Sequence, residues 1–278
     1  MLVAGSVDTS NIPSLEDFTR TAREWLEANA EYRTGGSDDK ELVWGEGEFS
    51  VSVFHSLTFE EERALLDRGK AWIQKKAEKG YHAITSPVEY GGLGYPRAYA
   101  RAFSKLESLF VTPTGHETLS VTVGLIAPTI DLYGTPQQKA DFVGRFMATR
   151  DLCCQLFSEP GAGSDLASLG CRAERDGDEW VLNGQKVWSS GAQFSEWGEL
   201  IARSNPNVVK HKGMTAFIIP MNLPGIEIRP IKQMSGGSSF NEVFFNDVRI
   251  PDSMRLGPEG EGWKVALTTL GFERDHSG

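Results

Sequence analysis

The residue pattern changes once along this chain, near Asp151, and that change limits the fold more than any other feature. Up to about residue 150, apolar positions recur at helical spacing; beyond it, short β-type runs follow one another between turn dipeptides. The runs cover residues 152–157, 171–175, 179–182, 186–188, 199–203, 215–220, 226–230 and 242–248, with Asp-Gly, Asn-Gly, Asn-Pro and Pro-Gly between them. Many short strands with turns between them predict a small antiparallel barrel or sandwich. Asn183-Gly184, flanked by Trp180-Val-Leu and Gln-Lys-Val-Trp, predicts a two-residue hairpin. The expected fold class is therefore multidomain α+β. An all-α N-terminal domain spans 1–150 and a small antiparallel β-barrel domain spans 151–256. A return to helix over 257–278 starts a third, helical domain.

Within the first part, Ser14-Leu-Glu-Asp17 opens a helix whose apolar positions are Leu15, Phe18, Ala22, Trp25 and Leu26. Thr58-Phe-Glu-Glu61 is a capping box leading into Leu65, Leu66, Trp72, Ile73 and Ala77, with Gly80 as the stop. Residues 35–52, polar and glycine-bearing, read as a surface excursion. Residues 99–109 and 120–133 predict further helices, the second almost wholly apolar and so buried on most sides. Thr135, Pro136 and Gln138 start another. None of these residues is assigned chemistry.

Charge narrows the partners. With 28 basic against 38 acidic residues the net charge is −10, which argues against a nucleic-acid or anionic-membrane surface. The 278 residues suffice for one large or two modest cores. Cys153, Cys154 and Cys171 lack metal-ligand or redox spacing, so no metal is expected and buried reduced thiols are the simplest reading. Neither a signal peptide nor a run of membrane-spanning length is legible, and a cytoplasmic location follows as an expectation.

The chemistry-bearing stretch is Gln155 to Ser164, Gln-Leu-Phe-Ser-Glu-Pro-Gly-Ala-Gly-Ser, with Asp165 behind it. It leaves an apolar run and turns through Pro160, Gly161 and Gly163, two glycines that permit positive φ. Free N–H groups and the hydroxyls of Ser158 and Ser164 predict a donor-rich concavity for oxygen-rich or anionic groups. By itself the stretch reads first as an ordinary strand-to-loop turn, and both serines as turn caps. A second stretch, Trp180-Val-Leu-Asn183-Gly184-Gln-Lys186-Val-Trp188-Ser-Ser190-Gly191, changes that balance.

Together the two stretches resemble the acyl-CoA dehydrogenase family. The first is similar to its Thr/Ser-Glu-Pro-x-Ala-Gly-Ser-Asp segment and the second to its Asn-Gly-x-Lys-x-Trp-Ile-Thr/Ser segment. Two further matches follow in the family's order: Phe240-Asn-Glu242-Val-Phe-Phe-Asn-Asp247-Val-Arg-Ile-Pro251, then Gly257-Pro-Glu-Gly-Glu-Gly262-Trp263. Four ordered motifs are far harder to obtain by chance than one. The layout covers the family's helical and β parts and only the start of its closing bundle. The expectation is that the sequence is a fragment or that another chain supplies the rest.

The resemblance implies FAD-dependent α,β-dehydrogenation of an acyl-CoA thioester. A carboxylate removes the α-proton while the β-hydride passes to the flavin N5. It implies that Gln155, Leu156, Phe157, Ser158, Gly163 and Ser164 line the cofactor. Trp188 would cover its edge, with Ser189 beneath and Ser190 near N5. Ser164 and Arg274 would contact the coenzyme portion of the substrate. The chain carries serine at 158 and 190 where many relatives carry threonine, and Ser189 where isoleucine is usual. Glu273-Arg274 resembles the Glu-Arg pair that carries the catalytic glutamate in the isovaleryl-CoA and long-chain branches. In most other branches the base lies in the closing bundle, and a solvated charge pair at a helix end is the competing reading of Glu273. Glu159 is expected to order its loop.

Three functions remain open at this stage. One is an acyl-CoA dehydrogenase of fatty-acid and lipid metabolism, a homotetramer by family analogy, that passes electrons to an electron-transfer flavoprotein. Another is a flavin- or acyl-CoA-binding subunit, inactive without a related partner chain. The third is a same-fold flavin oxidase or monooxygenase.

Overall fold

The computed structural model describes residues 12–33, 57–113, 115–234 and 236–276. The surface excursion expected over 35–52 lies outside the described residues. Contacts divide the chain into two compact units, residues 1–51 with 71–114, and residues 52–70 with 115–278.

The first unit is helical. Helix α1 (Leu15–Asn29) starts where the Ser14 hydroxyl accepts from Asp17 N at 3.0 Å. Helix α2 (Phe59–Ala77) starts at the expected box: Glu61 Oε2 accepts from Thr58 N at 2.9 Å, and Thr58 Oγ1 accepts from Glu61 N at 3.3 Å. Only the C-terminal part of α2, from Ala71, belongs to this unit. With α3 (Arg97–Glu107) these helices bury Phe18, Ala22, Leu26, Phe103 and Leu106, joined by Tyr81 and Phe110. Rings pack edge to face, Phe18 on Tyr99 at 5.2 Å for example. Gly80, φ 72, takes the left-handed turn after α2.

The second unit holds one continuous helical run over 117–133, made of α4 (Glu117–Ser120), a wider π-wound middle (Val121–Ile126) and α5 (Ala127–Tyr133). A second run contains α6 (Pro136–Gln138) and α7 (Gly144–Met147), and Thr135 and Gln138 form the capping box at its start.

Eight strands follow: β1 (Cys153–Leu156), β2 (Arg172–Asp176), β3 (Glu179–Lys186), β4 (Trp197–Arg203), β5 (Met214–Pro220), β6 (Ile226–Ile231), β7 (Phe240–Pro251) and β8 (Arg255–Leu256). They hydrogen-bond in the order β6-β7-β3-β2-β4-β5-β8, with β1 beside β4. That path has two ends, so the closed barrel expected from strand spacing is corrected to an open sheet among the described residues. Nor is it purely antiparallel, because β1 runs parallel to β4 from Cys153↔Trp197 to Leu156↔Leu200. Strand spacing alone carries no record of which edges meet, which is why the sequence favoured closure.

The expected hairpin at Asn183-Gly184 is also corrected. The chain reverses at Gly177, φ 62, pairing Asp176 with Glu179, and β3 then continues through Asn183-Gly184 without turning. There the register against β7 slips, with Leu182 opposite Val248 and Gly184 opposite Phe245. Asn183 Oδ1 accepts from Asp247 N at 2.9 Å, closing the bulge. Gly184 has φ 147, and a Cβ there would lie 2.7 Å from Cys171 Cα. The dipeptide that makes a good turn thus serves a bulge and a close approach instead.

Trp180, Leu182, Phe217, Phe245 and Ile250 fill the sheet core. The three cysteines are free and buried, as expected, and burial pushes Cys154 up to about 12 and Cys171 up to about 11, leaving inert thiols. Finally, α8 (Gly262–His276) buries Val265, Ala266 and Thr269. Thr269 Oγ1 donates to Glu199 Oε1 on β4 at 2.8 Å, and Tyr133 and Thr268 hydroxyls meet at 2.9 Å. Among the described residues no helix is long and apolar enough to cross a membrane.

Candidate functional site

β1 runs into the glycine-bearing turn. Glu159 and Ala162 exchange both main-chain hydrogen bonds, each 3.0 Å, around Pro160-Gly161. Neither Gly161 nor Gly163 takes a positive φ, contrary to expectation. A Cβ on either would meet nothing within 4 Å. These glycines keep one side of the loop open rather than make the turn possible.

The loop is fixed from behind by a buried cation. Lys186 is fully buried, and its Nζ donates to Phe157 O at 3.0 Å and to Glu159 Oε1 at 2.8 Å. Glu159 also accepts from Gly170 N at 2.6 Å and Cys171 N at 2.9 Å. Every strong contact of this carboxylate points inward, which suits the loop-ordering role expected of it.

The second motif is clipped to the first where Val187 N donates to Ser158 O at 2.9 Å. Trp188, the next residue, has φ 59 and remains 58% exposed, with Phe240 edge-on at 5.8 Å. A bulky residue held in left-handed backbone, with its indole outward, is strain kept for a purpose other than packing. Ser189 is buried; its N–H donates to Asn241 O at 3.1 Å, and its carbonyl accepts from Asn241 Nδ2 at 3.0 Å. Gly191, φ 65, lies so close to the next element that a Cβ would sit 1.8 Å from Thr118 Oγ1.

That next element is the start of α4. His116 caps it, its Nδ1 accepting from Thr118 N at 3.2 Å, which assigns the proton to Nε2, 3.1 Å from Glu62 Oε1. Both members of this pair are buried. The Glu117 carboxylate accepts a hydrogen bond from the Ser190 side chain. Burial raises its proton affinity most, and the facing Glu273 and Glu62 raise it further, against the opposite pulls of Ser190 and His116. One turn on, the Thr122 hydroxyl accepts from Cys153 N at 2.9 Å and so pins the helix to β1.

Between these elements lies a cavity of about 460 Å³ lined by Glu117, Ser120, Val121, Leu125, Gln155 and Glu273, among others. The π-wound turn forms much of its wall, and such widened turns gather at functional sites. The Gln155 Nε2 atom is buried and has no hydrogen-bond partner. A second hollow, along Leu15, Glu16, Thr19, Arg20 and Arg23, lies on the outer surface of α1 and holds none of the motif residues.

Gln155 and Glu273 thus face one cavity, and Ser190 reaches it through Glu117. Ser158 and Trp188 adjoin through Val187, while Gly163 and Ser164 stand exposed on the open side of the loop. Leu156 and Phe157 bury their side chains, so at the site only their main chain is presented. Arg274 is exposed and does not line the cavity. Sequence reasoning missed Glu117, because an acid at a helix N-terminus reads as a dipole partner. It also missed Glu199, fully buried on β4, whose proton affinity burial pushes up to about 8.

These features fit a flat, polar-edged ring system. The exposed indole offers a planar wall, the glycine loop leaves room, and the buried Gln155 Nε2 has no hydrogen-bond partner among the described residues. A sheet carrying such a ledge beside the 117–133 helical run marks a protein shaped to take up a planar, polar-edged cofactor. Comparison with known proteins sharpens the class. Residues 154–248 match the acyl-CoA dehydrogenase middle domain, and residues 55–150 match the acyl-CoA dehydrogenase N-terminal domain. The acyl-CoA dehydrogenase IpdE1 of Mycobacterium tuberculosis is 38% identical over 260 residues, covering 94% of this chain and 63% of the relative. FadE34 of the same organism is 46% identical over 185 residues, 65% of this chain and 26% of that protein. Among solved structures, the ChsE4-ChsE5 complex of M. tuberculosis superposes with TM-score 0.65 at 29% identity, over 98% of this chain and 61% of the other. The Tcur3481-Tcur3483 steroid ACAD gives TM-score 0.67 at 27% identity, over 96% and 63%. The chain belongs to the acyl-CoA dehydrogenase family, whose members are FAD-dependent. It spans about 63% of the length of IpdE1.

Proposed function

We propose that this chain is the N-terminal and middle part of an FAD-dependent acyl-CoA dehydrogenase, and that the cavity between residues 117–125, Gln155 and Glu273 receives the acyl group. The observation that carries the reading is that Gln155, from the first motif, and Glu273, from the last, face the same cavity, with Ser190 hydrogen-bonded to its Glu117 wall. We assign the domains as 1–150, 151–256 and the start of a third at 257–278.

Bound FAD supplies a hydride acceptor, and everything else falls to the protein. Trp188 and the open loop at Gly163 hold the ring's faces. Ser158, Ser190 and Gln155 offer hydrogen bonds to its polar edge, and Leu156, Phe157 and Ser189 contribute main chain and support. Ser164 and Arg274 hold the coenzyme portion of the thioester. Glu273 takes the α-proton; its carboxylate is exposed in this structure, so the bound substrate must exclude water from it for the transfer to proceed. Electrons then pass to an electron-transfer flavoprotein.

The protein works in the cytoplasm on fatty-acid or other lipid-derived thioesters, as a homotetramer or as a heteromer with a related subunit. The heteromeric form is favoured by the two solved assemblies named above, each carrying two differently named chains. Anaerobic titration of the full-length yellow protein with a panel of acyl-CoAs tests the activity: bleaching of the flavin band by one of them is the expected result. Glu273→Gln should keep the flavin and abolish bleaching. Turnover that survives this change removes Glu273 from the assignment, and bleaching that appears only with a second chain present selects the subunit reading.

A further inference from the structure

The buried acid on β4 has no part in the reading above, yet a row of hydroxyls joins it to the cavity. Glu199 is fully buried, and its Oε1 lies 2.8 Å from Thr269 Oγ1 on α8. Thr269 Oγ1 lies 3.0 Å from Thr129 Oγ1 on α5, and Thr129 Oγ1 lies 2.7 Å from Leu125 O in the π-wound turn. Both threonines are fully buried. Leu125 lines the cavity, and so does Glu273, which follows Thr269 by one turn on the same face of α8. One row of contacts therefore ties β4 both to the wall of the cavity and to the helix that carries the proposed base.

We infer that Glu199 is a positioning residue of the reaction, holding Glu273 and the Leu125 wall in place relative to each other through Thr269 and Thr129. The inference rests on the dehydrogenase reading above, with Glu273 as base.

Proton count gives this row two arrangements, because each threonine hydroxyl has one proton to donate. With Glu199 ionised, Thr269 donates to it. Thr129 then serves either Thr269 or Leu125 O, and one of those contacts is left without a proton. With Glu199 protonated, the carboxyl donates to Thr269, Thr269 to Thr129 and Thr129 to Leu125 O, so the row is complete. The longer approach of Thr269 Oγ1 to Val265 O, 3.2 Å, is the ordinary contact of a helical threonine with the carbonyl four residues back. Burial favours the protonated form too: Oε2 has no hydrogen-bond partner among the described residues, and the proton affinity of Glu199 is pushed up to about 8. The groups beside it add no charge. They are Thr269 from α8, the register partners Gln155 on β1 and Ile218 on β5, and Cys153 of β1, whose thiol burial holds well above its ordinary range. Raising the pH through the ionisation of Glu199 thus breaks the row on its way to the cavity wall.

The test uses full-length, flavin-loaded protein and the acyl-CoA of the panel that bleaches it, mixed anaerobically at saturation from about pH 6 to about pH 10. The reading is the rate constant of flavin reduction, each profile normalised to its own maximum. In the unaltered protein the rate should fall about tenfold as the pH passes about 8, the effect of one hydrogen bond lost at the wall. Glu199→Gln, whose amide donates to Thr269 at every pH, should abolish that fall. Thr129→Val should lower the rate constant about tenfold near neutral pH with KM changed by less than about twofold, and Thr129→Ser, which restores the hydroxyl, should recover most of it. Independently of turnover, the infrared carbonyl band of a buried protonated carboxyl should vanish as the pH passes about 8, and it should be missing from Glu199→Gln. Should Thr129→Val not fold, the Glu199→Gln profile decides by itself. A parent profile without the alkaline fall, a fall that Glu199→Gln retains, or a Thr129→Val protein that reduces its flavin at the parental rate overturns the inference while leaving a dehydrogenase. Flavin reduction that survives Glu273→Gln removes the base that Glu199 would position, and the inference fails with that assignment. A protein bleached by no acyl-CoA overturns the dehydrogenase reading itself.

Discussion

The two sides of the site are built on opposite electrostatic terms. On the sheet side, a buried cation, Lys186, meets Glu159 and Phe157 O, and Glu159 has two main-chain donors besides. Where the sheet meets the helices, Glu117 at the start of α4 and Glu199 on β4 under α8 are acids whose proton affinity burial raises, and among the described residues Glu199 Oε2 has no hydrogen-bond partner. A paired charge in the interior fixes geometry; an unpaired acid responds to pH and to ligand. The first side is therefore a frame, and the second is where chemistry and sensitivity reside.

That contrast can be broken most severely at Lys186. Replacing it by methionine removes the donor to Phe157 O and leaves the Glu159 carboxylate without its cation, at a cost of about 3–5 kcal/mol. Urea denaturation should show a midpoint far below that of the parent protein, with flavin retention lost. A change under about 1 kcal/mol would mean the pair is not the frame.

Glu199 sharpens the other side. Its folded proton affinity, about 8, stands above the ordinary 4.5, so the folded state holds a proton that the unfolded state releases. Below pH 4.5 both states are protonated and nothing is lost. As pH rises from there toward 8, stability declines, by up to about 5 kcal/mol in total, and then levels. Glu199→Gln should flatten this slope, matching the parent near pH 4.5 and exceeding it at pH 8. Parallel pH curves for the two proteins would remove Glu199 from the account.

Smaller effects follow at the contact between the sides. Gly191→Ala meets both a left-handed backbone and Thr118 Oγ1, and should cost about 2–3 kcal/mol with weakened flavin binding. Combining it with Thr118→Ala should recover part of the loss, because the obstructing hydroxyl is gone. The least change in stability belongs to Trp188→Asn. Asparagine tolerates φ 59, and the indole is mostly exposed, so the stability change should stay within about 1 kcal/mol while flavin retention falls. Equal flavin retention would exclude the indole as a wall of the cofactor site.

The elements were legible from local pattern in most places. The Ser14 and Thr135 caps, the Thr58-Glu61 box and the apolar run after Ser120 formed helices where expected, because capping and helical period involve residues three or four apart. Six of the eight β-type runs became strands within a few residues of their expected ends, while 179–182 and 186–188 merged into β3, which stops at Lys186. Asn183-Gly184 shows the limit: its local preference for a turn was overridden because β3 gains more by continuing to pair with β7 as far as Lys186. The open sheet, with β1 parallel to β4, likewise depends on pairings between distant segments.

The same division holds for the site. Sequence alone determined that a glycine-bearing loop and a tryptophan stretch exist in the order the family uses, and it singled out Gln155, Ser190 and Glu273 one by one. Tertiary structure decided that Glu117 touches Ser190, that Lys186 is the buried clamp behind the loop, and that Glu199 has no charge to balance it. The physical reason is one of range. Caps and periods are set by near neighbours along the chain, whereas desolvation and pairing are set by whatever the folded chain brings alongside.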